Sequence, residues 1–146
     1  TWAVVTLMAV FASFFAVKKA YRTSLFIIAS VSTSWLINEA LKLAIARPRP
    51  ELGSDVFATG YSYPSAHAMV GICLYFTMAI VLSPLVVTRN RKAAIWLSAS
   101  ALAGLIALSR VFLGVHYPTD VMGGALLAVA WVISMREIWN KHIRPA

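Results

Sequence analysis

Two histidines, an aspartate and a set of cations stand out in a chain that is otherwise largely apolar. They fall in three blocks. The first is Lys42-Leu43-Ala44-Ile45-Ala46-Arg47-Pro48-Arg49-Pro50. The second is Tyr63-Pro64-Ser65-Ala66-His67, and the third opens with Ser109-Arg110 and closes with His116-Tyr117-Pro118-Thr119-Asp120. Lys42, Arg49 and Arg110 supply positive charge, and arginine forks match phosphate oxygens bidentately. A helix beginning after Ser65 would add free backbone N–H groups and the favourable end of its dipole. The Ser65 hydroxyl suits an N-cap and is a further donor. These groups describe an anion cradle. Beside it, His116 and Asp120 are four apart across a turn, so Asp120 can hold the His116 ring and stabilise its charge. His67 is a second titrating group.

This set meets the needs of phosphoryl transfer through a covalent intermediate. A neutral imidazole attacks phosphorus and becomes a phosphohistidine. Cations stabilise the charge on the equatorial oxygens in the transition state. A second histidine protonates the leaving oxygen and then deprotonates the attacking water. Three cations already neutralise the phosphate, so the scheme needs no metal or other cofactor. Two rival chemistries fit less well. A metal held by His67, His116 and Asp120 would be repelled by the three cations. A Ser65–His116–Asp120 hydrolase triad leaves the cations without a purpose.

These residues have to be positioned by membrane helices. Of the 146 residues, 60% are hydrophobic and 12% charged, against about 45–50% and about 25% in soluble domains. Disorder and an ordinary water-soluble domain are both excluded. A spanning helix needs roughly 20 apolar residues. Residues 1–17, 23–46, 67–88, 93–115 and 120–139 form five such stretches, the first of them short. Pro84 is expected to kink the third. Small residues four apart, Ser100 with Gly104 and Gly124 with Ala128, suit close helix crossings. The single cysteine, Cys73, reads as a core or lipid-facing residue.

The net charge of +8 is explained mainly by topology. Nine of the 13 cations lie in segments 18–22, 89–92 and 136–144, all on one side if each stretch crosses once. By the positive-inside rule that side is the cytoplasm. This argues against a nucleic-acid partner. Lys42, Arg47, Arg49 and Arg110 remain, all near the outer ends of helices. Arg47 is read as a headgroup or rim contact, and Glu39 and Asn38 as partners either of polar groups of the site or of Lys42. Tyr61, Tyr63 and Tyr117 are read as interface aromatics, and His142 as a surface residue of the tail.

The three blocks resemble the signature of the type 2 phosphatidic acid phosphatase superfamily. Lys42 stands six residues before Arg49-Pro50. Pro64-Ser65-Ala66-His67 matches a block in which the family has glycine at the third position. Ser109-Arg110, His116 and Asp120 follow with matching gaps. The resemblance implies that His116 is the nucleophile, Asp120 its partner and His67 the general acid. It implies that Lys42, Arg49, Ser65, Arg110 and the Ala66 amide bind phosphate. Ala66 replaces glycine harmlessly only if the backbone there keeps negative φ.

The expected fold is all-α, a polytopic membrane helix bundle. Residues 1–146 are expected to form a single membrane-embedded phosphatase domain, with the first of six family helices preceding Thr1. The expected activity is hydrolysis of a phosphomonoester or pyrophosphate on a lipid partner in the membrane. Substrate classes implied by the resemblance are phosphatidic acid, phosphatidylglycerol phosphate and polyprenyl pyrophosphate. The site is expected on the extracytoplasmic side of a bacterial inner membrane. A phosphotransferase of the same superfamily, or a multipass anion or lipid transporter, is the alternative.

Overall fold

The computed structural model describes residues 2–50 and 59–143. Thr1, the middle of the loop between the second and third helices, and Arg144 lie outside the described residues, as does the His142 side chain. The described residues fold into five α-helices: α1 (Trp2–Val17), α2 (Tyr21–Ile45), α3 (Ala66–Leu82), α4 (Arg89–Phe112) and α5 (Pro118–Ile138). Four are long and apolar enough to cross a membrane, and α1 is apolar but shorter. No strand occurs among the described residues.

The helix boundaries follow from local chemistry. Ala46 closes α2 in a left-handed conformation, φ 49°, with its N–H on the Lys42 carbonyl. Pro48 and Pro50 then forbid further helix. Pro118 opens α5 in the first turn, where a missing N–H costs nothing. The third helix differs from expectation. It ends at Leu82, and Pro84 sits in a 3₁₀ turn, Ser83–Leu85, so the proline ends the helix instead of kinking it.

α3 is the central helix, with 67% of its span buried against 17% for α4. Its crossing with α5 is close at Gly124, where a Cβ would lie 2.9 Å from the Ser65 carbonyl and 3.2 Å from the Ala68 Cβ. Ala128, one turn on, is fully buried beside Met69, Ile72 and Ala103. The expected Ser100–Gly104 crossing is replaced by its neighbour stripe. Ala99, Ala103 and Ala107 are the buried face of α4, while Ser100 is exposed. The rotation follows from bulk, because Leu97, Leu105 and Leu108 then point outward. Leu126 and Ile133 do the same on α5. An apolar exterior of this extent suits lipid, not water. Cys73 is a core residue, its Sγ 3.4 Å from the Ser30 carbonyl.

Successive helices run in opposite directions, so the polar segments sort to two ends. At one end the rings of Phe26 and Trp139 stack 4.7 Å apart, joining the start of α2 to the end of α5. Lys18, Lys19, Arg22, Arg89, Arg91 and Lys92 are exposed there. The other end gathers the α2–α3 connection, the start of α3 and the α4–α5 turn.

Candidate active site

Asp120 is the hub of that second end. It is fully buried in the first turn of α5. Its Oδ2 accepts the Tyr117 backbone N–H at 2.9 Å, half of a capping box, and the Ser62 hydroxyl also bonds Oδ2. Its Oδ1 accepts Arg47 Nη1 at 2.8 Å. The same Arg47 nitrogen donates to Thr119 Oγ1 at 2.7 Å, and the guanidinium lies 4.1 Å over the Tyr117 ring. Arg47, 35% exposed, therefore sits at the rim of the site, one of the two places expected for it. It fastens the α2 exit to the α5 start, and the Ser62 N–H on the Arg47 carbonyl at 2.8 Å completes the clamp.

His116 is almost fully buried beside this hub. Its Nδ1 lies 3.5 Å from Asp120 Oδ2 and 3.4 Å from Ser62 Oγ. Its Nε2 lies 3.3 Å from Arg49 Nη1. A guanidinium only donates, so this contact leaves the Nε2 lone pair outward and the ring proton on Nδ1, toward the carboxylate. Burial, and then the Arg49 charge, lower the His116 pKa below the usual histidine value, with Asp120 partly opposing. The ring is thus held neutral with Nε2 toward the cation. Arg49 is itself fixed by the carbonyls of Gly60, Thr59 and Val115 at 2.9–3.0 Å.

Ser65 takes the N-cap position of α3 with extended backbone, but its hydroxyl makes no capping bond. The Oγ is fully buried and has no partner among the described residues. Ala66, the first residue of α3, is absent from the positive-φ residues, so glycine is not required there. His67 follows in the first turn of α3, within electrostatic reach of Arg110, His116 and Lys42. Lys42 pairs with Glu39 at 3.0 Å, as expected. Arg110 bonds the adjacent Ser109 hydroxyl at 3.1 Å through two nitrogens.

Sequence reasoning missed Ser62 and missed the bond between Arg47 and Asp120. Neither has a local signal, since each meets Asp120 only through the fold. Tyr63 and Tyr117 are likewise packed into the site's frame. Tyr63 lies so close to α5 that a Cβ on Gly123 would meet its ring at 2.5 Å. Tyr61 is 40% exposed, as an interface aromatic would be. Asn38, fully buried, donates to the Pro64 carbonyl at 3.3 Å and braces the turn before Ser65.

The bundle thus holds a histidine–carboxylate pair beside Arg49, with Arg110 and Lys42 within electrostatic reach of His67. The profile of the PAP2 superfamily matches residues 23–144, and the chain belongs to that superfamily. It is 38% identical over 98 residues to phosphatidylglycerophosphatase B of Bacillus subtilis, covering 66% of this chain and 48% of that protein. It is 38% identical over 74 residues to undecaprenyl-diphosphatase of Sulfolobus acidocaldarius, covering 51% and 31%. The chain thus spans about half or less of these curated relatives. A solved structure, the first transmembrane PAP2 type phosphatidylglycerolphosphate phosphatase from Bacillus subtilis, superposes with a TM-score of 0.90. That match is at 29% identity and covers all of this chain and 73% of the other.

Proposed function

We propose that this chain is an integral-membrane phosphatase that hydrolyses a phosphomonoester or pyrophosphate carried by a lipid. The observation that carries the reading is the orientation of His116. Nδ1 faces Asp120 and Ser62, while Nε2 faces Arg49. The rival Ser65–His116–Asp120 triad finds no support here, because the Ser65 hydroxyl bonds neither nitrogen of His116. Relatives named for phosphatidylglycerol phosphate and undecaprenyl diphosphate support a lipid substrate.

In the proposed mechanism the phosphoryl group sits between Arg49, Arg110, Lys42 and the start of α3. The Ser65 hydroxyl and the Ala66 N–H donate to its oxygens. Arg49 transfers its Nη1 donation from His116 to the phosphate, which frees the Nε2 lone pair. Nε2 attacks phosphorus, the bond to the leaving oxygen breaks, and His67 delivers the proton. Asp120 stabilises the imidazolium that results. His67, now neutral, deprotonates water, which attacks phosphorus and breaks the P–N bond. Lys42, Arg49 and Arg110 carry the neutralisation in this scheme, which includes no metal. The basic end lies in the cytoplasm and the site at the extracytoplasmic face, consistent with charge placement in a bacterial inner membrane. Transfer to an acceptor other than water uses the same first half.

The test is release of inorganic phosphate from phosphatidic acid, phosphatidylglycerol phosphate and polyprenyl pyrophosphate, in detergent with excess chelator. Release by the wild type and its loss in His116→Ala are expected. Turnover in His116→Ala at the wild-type rate would overturn the nucleophile assignment. No release from any lipid by folded protein would overturn the hydrolase reading.

A further inference from the structure

The basic end of the bundle carries a cavity of about 190 Å³, far larger than the ~10–15 Å³ that one water needs. It is lined by Ser83 from the 3₁₀ turn, Lys92 and Trp96 from α4, Arg136 from α5, and Trp139 and Asn140 beyond it. This is the end opposite His116, so the cavity is separate from the proposed active site.

Three observations converge there. Trp139 is 4% exposed, and its Nε1 donor is buried with no partner among the described residues. A buried donor left unbonded is rare and calls for an acceptor. Lys92 and Arg136, from different helices, face one cavity, and neither makes an ion pair among the described residues. Arg89, Arg91 and Lys92 also crowd the first turn of α4, which contains no acidic residue. Cations at that end oppose the helix dipole. Topology explains why cations lie at this end. It does not explain why two of them line one cavity with a tryptophan whose buried indole N–H has no partner among the described residues.

We propose that this cavity binds a phosphate-bearing anion, with Lys92 and Arg136 as counter-charges and Trp139 Nε1 and Asn140 as donors. Basic pockets between membrane helices are suited to anionic headgroups. The ligand chemistry can come from an anionic lipid or from free phosphate.

The test counts bound lipids by native mass spectrometry on the purified chain in detergent, titrated with phosphatidylglycerol and, separately, phosphatidylcholine. The comparison is among wild type, the Lys92→Gln/Arg136→Gln double variant and Trp139→Phe, all in a His116→Ala background. Removing two cations should weaken the basic-end site roughly 30-fold, at ~1 kcal/mol per charge. The indole substitution keeps the ring against Phe26 and should weaken the site about tenfold through loss of one charge-assisted hydrogen bond. Displacement of the extra phosphatidylglycerol by millimolar inorganic phosphate would identify free phosphate as a competent ligand. Retention against phosphate would identify the lipid headgroup. Either result supports the site. Equal phosphatidylglycerol binding in all three proteins, or equal affinity for phosphatidylcholine, would overturn it. The readout is binding without turnover, so it is independent of the hydrolase reading.

Discussion

Arg47→Ala should slow the enzyme without touching phosphate. The Arg47 guanidinium bonds Asp120 Oδ1 at 2.8 Å, and Asp120 in turn faces His116 Nδ1 at 3.5 Å. A hydrogen bond to a charged group is worth about 1.5–3 kcal/mol. The Arg47 side chain is 35% exposed, so solvent screening favours the low end of that range. A loss of about 1.5–2 kcal/mol corresponds to a ten- to thirtyfold fall in kcat/KM. Because Arg47 acts through Asp120, the fall should lie in kcat, with KM nearly unchanged. The pH profile gives the sharper reading. His116 must be neutral to attack, and its lowered pKa puts the acid limb below the usual histidine value of about 6.5. Removing Arg47 deletes a nearby positive charge and exposes the imidazole to the full charge of Asp120. Both effects favour imidazolium, so the acid limb should move to higher pH. Arg47→Lys keeps the charge but loses the fork and the stacking on Tyr117, and should restore the limb more than the rate. The assay is kcat/KM against pH on a short-chain lipid phosphate, with thermal unfolding alongside. A lowered Tm with unchanged kcat and an unmoved acid limb would refute the positioning argument and leave Arg47 as a clamp only.

Ser65→Ala should raise the inhibition constant for inorganic phosphate about tenfold while leaving Tm equal or higher, since it deletes a buried hydroxyl that bonds nothing in the folded chain. A fall in Tm of several degrees would show that the hydroxyl is structural. Gly124→Leu should destabilise by at least 1–3 kcal/mol and reduce turnover, because even a Cβ would press on the Ser65 carbonyl at 2.9 Å. Thermal unfolding and phosphate release measure the two effects, and wild-type values for both would contradict the crossing. Ala66→Gly should change activity less than about twofold, since the helix start requires no positive φ there. A large gain in rate would mean that the alanine restrains the loop.

Much of this was legible because membrane helices are written in composition. Continuous apolar runs, basic connections and prolines at the helix ends located all five helices within a few residues. The site's three blocks were legible for the same reason, since each sits at a helix end on one side of the bundle. What escaped were the contacts between blocks. Arg47 and Thr119 are 72 positions apart, and Ser62 and Asp120 are 58 apart, separations that no helical period connects. The rotation of α4 also escaped, because Ser100–Gly104 and Ala99–Ala103 are equally small pairs on one helix. Only the bulk of the neighbouring leucines selects between them.

The two halves of the site differ in how fully their polar groups are satisfied. On the nucleophile side Asp120 accepts bonds from Arg47, Ser62 and the Tyr117 backbone, and it caps α5 at the same time. His116 is therefore fixed by the same bonds that start a membrane helix. On the proposed phosphate side Arg49 is held by three carbonyls, Lys42 by Glu39 and Arg110 by Ser109, while the Ser65 hydroxyl bonds nothing among the described residues. Electrostatic stabilisation is most effective when donors stand in place before charge develops, so that little reorganisation is needed at the moment of reaction. In the proposed mechanism the Asp120 network and the anchored Arg49 stand in place beforehand, and the Ser65 hydroxyl is the donor left free for the phosphate. It follows that losses on the Asp120 side should reach stability and rate together, and losses at Ser65 rate alone.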